Sequence, residues 1–556
     1  MDKRAIVAFI IIGLVIIIYP YYLRLISPSS KKLPESTPVE QRKEKTESVK
    51  DTISTGHIEP DSEPVKIDVL VPSDSVQTPR DIVIDNDLYR ATLSTQGGTI
   101  RSWQLKLFEG LNDQWVELIP EGANGALGLA MDTRNGKIDL SDYVFTCDKE
   151  SINLDESHAS ESIWMSLTLQ DGKKVEKAFT FFQGQYSFDM KVTLEGFEDI
   201  VPTREHELLW KPGLRFTETD VREDMNRMAP YALMGGEVAK YDIGGKKKSM
   251  ERREDGISQW IGIRTKYFIM SMMTGSESAL GIRVKGEKRE AIIGKKSVAL
   301  KTFEVALRMP FNPDAPTSHS YEIYLGPQDY HTLKSYGVGL ERCMDMGWPI
   351  IRPISSVILA FFVFIHRLIP NYGLVIIVFS LLLKVLFYPL THKQLEATRK
   401  MQELQPQLAA LKEKYKNDPQ RLNKETMALY KKGGANPLGG CFPLLLQMPI
   451  FFALFSVFRN TIELRRAEFV WWIQDLSMKD PYLILPIIMA ITMFIQQKMA
   501  VKDPKQAAMV YLMPVIMFIF LMNFASGLVL YWTVFQILSI LQQLIIERRK
   551  GAVEKK

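Results

Sequence analysis

Lys384 stands inside an apolar run that extends from Tyr372 to Leu390. An ionised lysine at the centre of a membrane span costs roughly 2.5–3.5 kcal/mol, so it calls for a wet or polar neighbourhood. The alternative is snorkelling, because about six residues, roughly 9 Å of helix, separate it from the end of the run. Ser380 falls four positions earlier, on the same helical face. Gln447, Thr533 and Gln536 put further hydrogen-bonding groups inside other apolar runs. Polarity this sparse fits a shallow hydrophilic recess better than a continuous pore. These groups have no bond-breaking chemistry of their own.

Nothing else in the chain points to catalysis or metal binding. Seven histidines are scattered singly, and the Gly-Lys-Lys pairs near Gly245 and Gly294 lack the upstream glycine of a phosphate loop. Cys147, Cys343 and Cys441 are far apart, with no CxxC pair, which excludes a disulfide scaffold and a zinc site of the usual spacing. No catalytic residue, metal ligand or cofactor is therefore expected. A net charge of +5 is too mild for a nucleic-acid binder.

The elements that must hold these polar groups are helices in a membrane. The mean hydropathy, −0.05, averages two unlike parts of a 556-residue chain. Spans are expected at Tyr372–Leu390, Cys441–Phe458, Tyr482–Ile495, Ala507–Met522 and Leu528–Ile546. The stretch Ile350–Ile369 has an uncharged part of only 13 residues, Pro353 to Ile365. Arg352, Ser355, Ser356, His366 and Arg367 fall near one stripe of it, so it reads as a helix lying in the membrane surface. Charge fixes the expected topology. Segments 1–4, 391–435, 496–506 and 547–556 carry 2, 10, 3 and 5 Lys/Arg, against 4 and 0 in 459–481 and 523–527. By the positive-inside rule this gives six spans with both ends in the cytoplasm.

The sixth span is the N-terminal one, residues 1–26, where Met-Asp-Lys-Arg precedes an apolar run. No small-x-small cleavage pattern follows, so an uncleaved anchor is expected rather than a signal peptide. Residues 27–77, rich in Pro, Ser, Glu and Lys, read as a flexible linker. From 78 to 328 the period changes to two. Ile163, Met165, Leu167 and Leu169 alternate up to the turn Asp171-Gly172, and Phe188, Met190, Val192 and Leu194 alternate after it. Trp103, Leu105 and Leu107 do the same. This predicts a large all-β domain on the outer side. Residues 329–370 form the interfacial segment and 371–546 the five-helix core, with a basic tail at 547–556. Within 391–435, helices are expected over Lys393–Tyr415 and Pro419–Lys432, with Asp418 as N-cap of the second. Lys412, Lys414, Lys416, Arg421 and Lys424 make this hairpin a candidate docking surface for a partner such as the ribosome, or a solvated face near anionic lipid.

Three runs carry a resemblance: Tyr388-Pro-Leu-Thr391, Asn436-Pro-Leu-Gly-Gly-Cys-Phe-Pro-Leu-Leu-Leu-Gln-Met-Pro449 and Ser526-Gly-Leu-Val-Leu-Tyr-Trp532. They closely resemble the YidC-type membrane protein insertases of bacteria, specifically over roughly 340–550. The resemblance implies a polytopic helical membrane protein with a five-helix insertase core and a periplasmic β-supersandwich in the bacterial inner membrane. It implies a hydrophilic groove, open to cytoplasm and lipid, that receives nascent membrane proteins and acts as insertase and chaperone. It can do so alone or with the Sec translocon. The groove's basic residue matches Lys384, its hydroxyl residue Ser380, its amide Gln447 and its aromatic position Trp532. The sequence departs from the family at Lys384, where arginine is usual; lysine loses its proton more readily when buried. A small-solute transporter is the second reading, but it calls for an internal repeat that is not present. A sugar enzyme anchored by its spans is the third, and no acid/base pair supports it.

Overall fold

The computed structural model describes Pro72 and residues 78–553, apart from 134–135, 170, 198–200, 246, 294–295, 313–314, 435–441 and 501–506. The expected N-terminal span and nearly all of the linker lie outside the described residues.

Residues 81–327 form strands linked into one continuous network with two layers. The first layer runs, by pairing, through Ser151–Asn153, Asp81–Asp85, Tyr89–Ser94, Thr99–Glu109, Ala126–Thr133, Glu205–Trp210, Lys296–Pro310 and Ala279–Ile293. The second runs through Thr146–Cys147, Ser160–Thr168, Lys174–Phe182, Ser187–Glu195, Thr317–Pro327 and Phe268–Thr274. The 16-residue strand Ser249–Arg264 belongs to both. Its first half pairs with Ala279–Ile293 and its second half with Phe268–Thr274. The pairing with Ala279–Ile293 shifts register between Asp255 and Ser258, around Gly256 at φ +137°.

The layers close on a common core because alternate side chains of each point inward. Trp103 of the first layer stacks on Tyr89 with centroids 4.0 Å apart and meets Phe188 of the second at 5.5 Å. Its indole Nε1 donates to the carbonyl of Leu325 at 3.1 Å, which ties one of the earliest strands to the last. The expected hairpin forms with Ile163 opposite Phe179 and Leu167 opposite Val175, and Gly172 takes φ +84° at its turn. The alternation read at Trp103, Leu105 and Leu107 stops early. Trp103 and Leu105 are buried, whereas Leu107 is 65% exposed. The register of this strand against Trp115–Glu117 slips between Leu105 and Glu109, which turns Leu107 away from the core.

The helices follow in chain order. Two short ones, α1 (Val221–Arg227) and α2 (Tyr330–Ser335), belong to the junction between strands and bundle. Then come α3 (Arg352–His366), α4 (Tyr372–Leu386), α5 (Tyr388–Glu403), α6 (Gln405–Lys414), α7 (Pro419–Lys432), α8 (Phe442–Asn460), α9 (Ile484–Ala500), α10 (Ala507–Leu521) and α11 (Ser526–Val553). The packed faces of α3, α4, α8, α9, α10 and α11 join one apolar cluster that also takes in Tyr231, Trp260, Ile269 and Tyr324 of the β domain. Among the described residues, α11 alone carries a straight apolar stretch long enough to cross a membrane, Ser526–Ile546. The α4–α5 pair passes the same test together but is bent by 64°.

Three expectations need correction in detail. The span read as Tyr372–Leu390 breaks at Phe387, because Pro389 has no N–H to continue the ladder and its ring clashes with the preceding turn. The helix read as Lys393–Tyr415 is likewise divided at Leu404, just before Pro406. The polar stripe read along Ile350–Ile369 is not one face: Ser355 is buried towards α8, its Oγ 3.5 Å from the carbonyl of Ala453, while Ser356 is only half-buried. The outer face of α3 instead presents Val357, Phe364 and, just beyond the helix, Leu368.

Candidate functional site

The polar groups of the bundle meet along α11. Tyr531, Phe535, Ser539 and Gln542 recur every three or four residues on α11, and so share the face turned towards α4. Lys384 on α4 is 8% exposed, and its Nζ donates to Ser539 Oγ at 2.8 Å. The same ammonium lies 4.9 Å from the centre of the Phe535 ring, a cation–π contact that compensates part of its lost hydration. One turn above, the hydroxyl of Ser380 is fully buried and donates to the carbonyl of Ile376 at 2.7 Å. At the far end, Gln542 Nε2 donates to Thr391 Oγ1 at 3.2 Å.

A second face of α11 looks towards α9. Thr492 Oγ1 donates to Gln536 Oε1 at 3.2 Å, and Thr533 Oγ1 donates to the carbonyl of Val529 at 2.8 Å. The third contact is with α8, where Gln447 Nε2 donates to the Tyr531 hydroxyl at 3.3 Å. Trp532 packs edge-on against Phe451 of α8 at 5.1 Å. Lys384, Gln447 and Gln536 thus each reach a polar partner on a neighbouring helix, while Ser380 and Thr533 are satisfied by their own helices. The α11 seam holds them at different heights and on different faces, rather than in one cluster.

Sequence reasoning missed Tyr531, Ser539, Gln542, Thr391 and Thr492 as partners. The signal for three of them was present: Tyr531, Phe535, Ser539 and Gln542 form a stripe at helical spacing. Searching the last span for every polar residue in register with Lys384 would have found it.

In the hairpin, the Asp418 carboxylate accepts from the N–H of Arg421 at 3.0 Å as the N-cap of α7. Lys414 and Arg421 both lie over the ring of Tyr415, at 5.5 and 5.4 Å. Lys416 and Lys424 are exposed, and Lys412 is half-buried on α6.

A β domain seated on an apolar bundle with a buried polar seam defines an integral membrane protein with a large extramembranous domain. Residues 364–553 match the family described as 60Kd inner membrane protein, and residues 81–358 match the YidC periplasmic domain. The membrane protein insertase YidC of Chlorobium luteolum is 33% identical over 578 residues, covering 100% of this chain and 96% of that one. That of Syntrophus aciditrophicus is 32% identical, covering 99% and 100%. That of Chlorobaculum tepidum is 35% identical over 491 residues, covering 84% and 82%. This chain belongs to the YidC family of membrane protein insertases. Membership makes the helical part an inner-membrane unit and the β part a periplasmic domain. It also favours insertion over solute transport and over an enzymatic role.

Proposed function

We propose that this protein inserts nascent membrane proteins through a hydrophilic groove bordered by Lys384, Ser380, Gln447, Trp532, Thr533 and Gln536. The observation that carries the reading is the seam along α11, where an ammonium, amides and hydroxyls are packed inside an otherwise apolar bundle. Polar groups at membrane depth are costly unless paired. Here Lys384, Gln447 and Gln536 pair with side chains of neighbouring helices, and each pairing is a short-range bond that an incoming polar segment can replace. Lys384 would attract acidic residues of the translocating tail, while the substrate's apolar segment leaves for lipid down the gradient of hydrophobic burial.

The groove opens to the cytoplasm in this reading, with six spans and both termini inside. The excess of Lys/Arg in segments 391–435, 496–506 and 547–556 supports that orientation. Segment 459–481 carries four basic residues of its own. Three of them, Arg459, Arg465 and Arg466, pair with Glu223, Glu218 and Glu109 of the β domain, which accounts for their presence on the outer side. The hairpin residues Lys412, Lys414, Lys416, Arg421 and Lys424 would face the ribosome or anionic lipid. The Sec translocon is the further partner this arrangement would serve.

The test uses a photo-crosslinker at Ser380 and, separately, at Gln447, with ribosomes stalled while making a single-span membrane protein. Crosslinks to the nascent chain that arise and then vanish as it lengthens are expected. None at any chain length would overturn the groove.

A further inference from the structure

The segment 461–478 between α8 and α9 touches both halves of the molecule. On the β side, Arg465 is 3% exposed at its side chain; its Nε donates to Glu218 Oε1 at 2.8 Å and its Nη2 to the carbonyl of Glu109 at 2.8 Å. Its guanidinium lies 5.3 Å from the ring centre of Phe268 and 5.9 Å from that of Tyr267. Arg459 Nε reaches Glu223 at 2.9 Å, and Arg466 reaches Glu109 and the carbonyl of Gly110. The Tyr267 hydroxyl donates to Ser477 Oγ at 2.9 Å, so the segment is held at both ends.

On the bundle side the same segment crosses the first turns of two helices. Asn371 Nδ2 donates to the carbonyl of Phe469 at 3.4 Å. The Phe469 ring packs so closely on Gly373 that a Cβ there would fall 1.9 Å from it. The N–H of Gly527 donates to the carbonyl of Leu476 at 2.9 Å, and that of Ser526 to Met478 at 2.7 Å. These turns begin α4 and α11, the helices that carry Lys384 and the seam, and the segment itself continues α8, which carries Gln447.

We propose that segment 461–478 is a keystone which the β domain locks across the outer ends of α4, α8 and α11, with Arg465 as its positioning residue. The β domain thereby holds the groove closed towards the periplasm. This rests on the groove reading above. A guanidinium with fixed donors on two acceptors and two aromatic faces beneath it sets one seating for the segment, which a lysine could not reproduce. Releasing it frees the Phe469 ring from Gly373 and opens the outer end.

The test is performed on the full chain in intact membranes. Cys147, Cys343 and Cys441 are replaced, and a single reporter is introduced as Ser380→Cys. A membrane-impermeant maleimide is added from the periplasmic side. R465A and E218Q are each expected to raise the labelling rate at least tenfold, R465K to give an intermediate rise, and R466A about twofold. Rates within twofold of the parent for both R465A and E218Q would overturn the proposal. If R465A fails to accumulate, E218Q, a neutral change on the opposite partner, decides the matter. A second reporter, Ser271→Cys, sits fully buried in the β domain. Equal acceleration there would mean general loosening and would also overturn the positioning role. Labelling requires no nascent chain, so failure here is separate from failure of the stalled-ribosome crosslinks.

Discussion

Glu463 lies in the keystone segment, three residues beyond α8, and both of its carboxylate oxygens are buried. Burial pushes its pKa up to about 8, and the neighbouring Asp329 carboxylate adds to the rise. Tyr372 at the start of α4 is the other titratable group nearby, stacked on His366 at 3.8 Å. The native state therefore binds a proton that the unfolded chain releases near pH 4.5. Stability from this site is complete below that value and is lost as pH rises through the window up to about 8, after which the loss is constant. At about 1.36 kcal/mol per pKa unit, the loss has a ceiling of about 3 kcal/mol at pH 7. Glu463→Gln removes the titration. Thermal unfolding of the full chain in detergent, followed by tryptophan fluorescence, should give a variant whose midpoint gains on the parent between pH 5 and pH 8. The gain should be several degrees, at roughly 2–4 °C per kcal/mol for a large domain. Parallel midpoints across that range would refute the assignment of a buried carboxyl that stays protonated near neutral pH.

Three other perturbations follow from named contacts. Ser539→Ala removes the oxygen that receives Lys384 and should destabilise the bundle by about 1–3 kcal/mol, read by unfolding in detergent; an unchanged midpoint would argue against that bond. Trp103→Ala empties the centre between the two layers and strands the carbonyl of Leu325. A loss of about 3–5 kcal/mol is expected, measured by denaturant unfolding of the β domain within the full chain, and a cost under 1 kcal/mol would contradict the packing. Lys177 is fully buried and donates to the carbonyls of Gly97, Gly98 and Leu127 at 2.6, 3.1 and 2.8 Å. Lys177→Met should orphan all three and lower stability by about 2–5 kcal/mol, with a wild-type unfolding curve as the disproof.

The β domain was legible where local pattern and tertiary role agree. The hairpin joining Ile163 to Phe179 needs only alternation and an Asp-Gly turn, and both are local. Leu107 was misread because the register slip that turns it outward depends on the partner strand, which alternation within one strand cannot report. The helices are legible from hydrophobicity, but their ends are set by Pro389 and Pro406, which interrupt the backbone ladder. In the seam, Lys384 drew attention because a charge in an apolar run is expensive. Ser539 and Tyr531 did not, since a lone hydroxyl in a helix is cheap and common. The arginines of 459–466 were visible only as charges on the wrong side of a count. Their partners are 236 to 357 positions away in sequence, a separation that no spacing rule bridges.

The bond between Trp103 and Leu325 spans 222 positions. A chain emerging at about 5–20 residues per second needs roughly 10–45 s to supply the second partner after the first. Until that interval ends the second layer lacks the strand Thr317–Pro327, which joins Ser187–Glu195 to Phe268–Thr274, and part of the core stays bare. The last strand appears only just before α3, so the domain can close only as the rest of the bundle begins to emerge. Until then, half-made sheet is exposed outside the membrane. Changes that slow the final strand should show up as aggregation during synthesis, even where the finished fold is as stable as before.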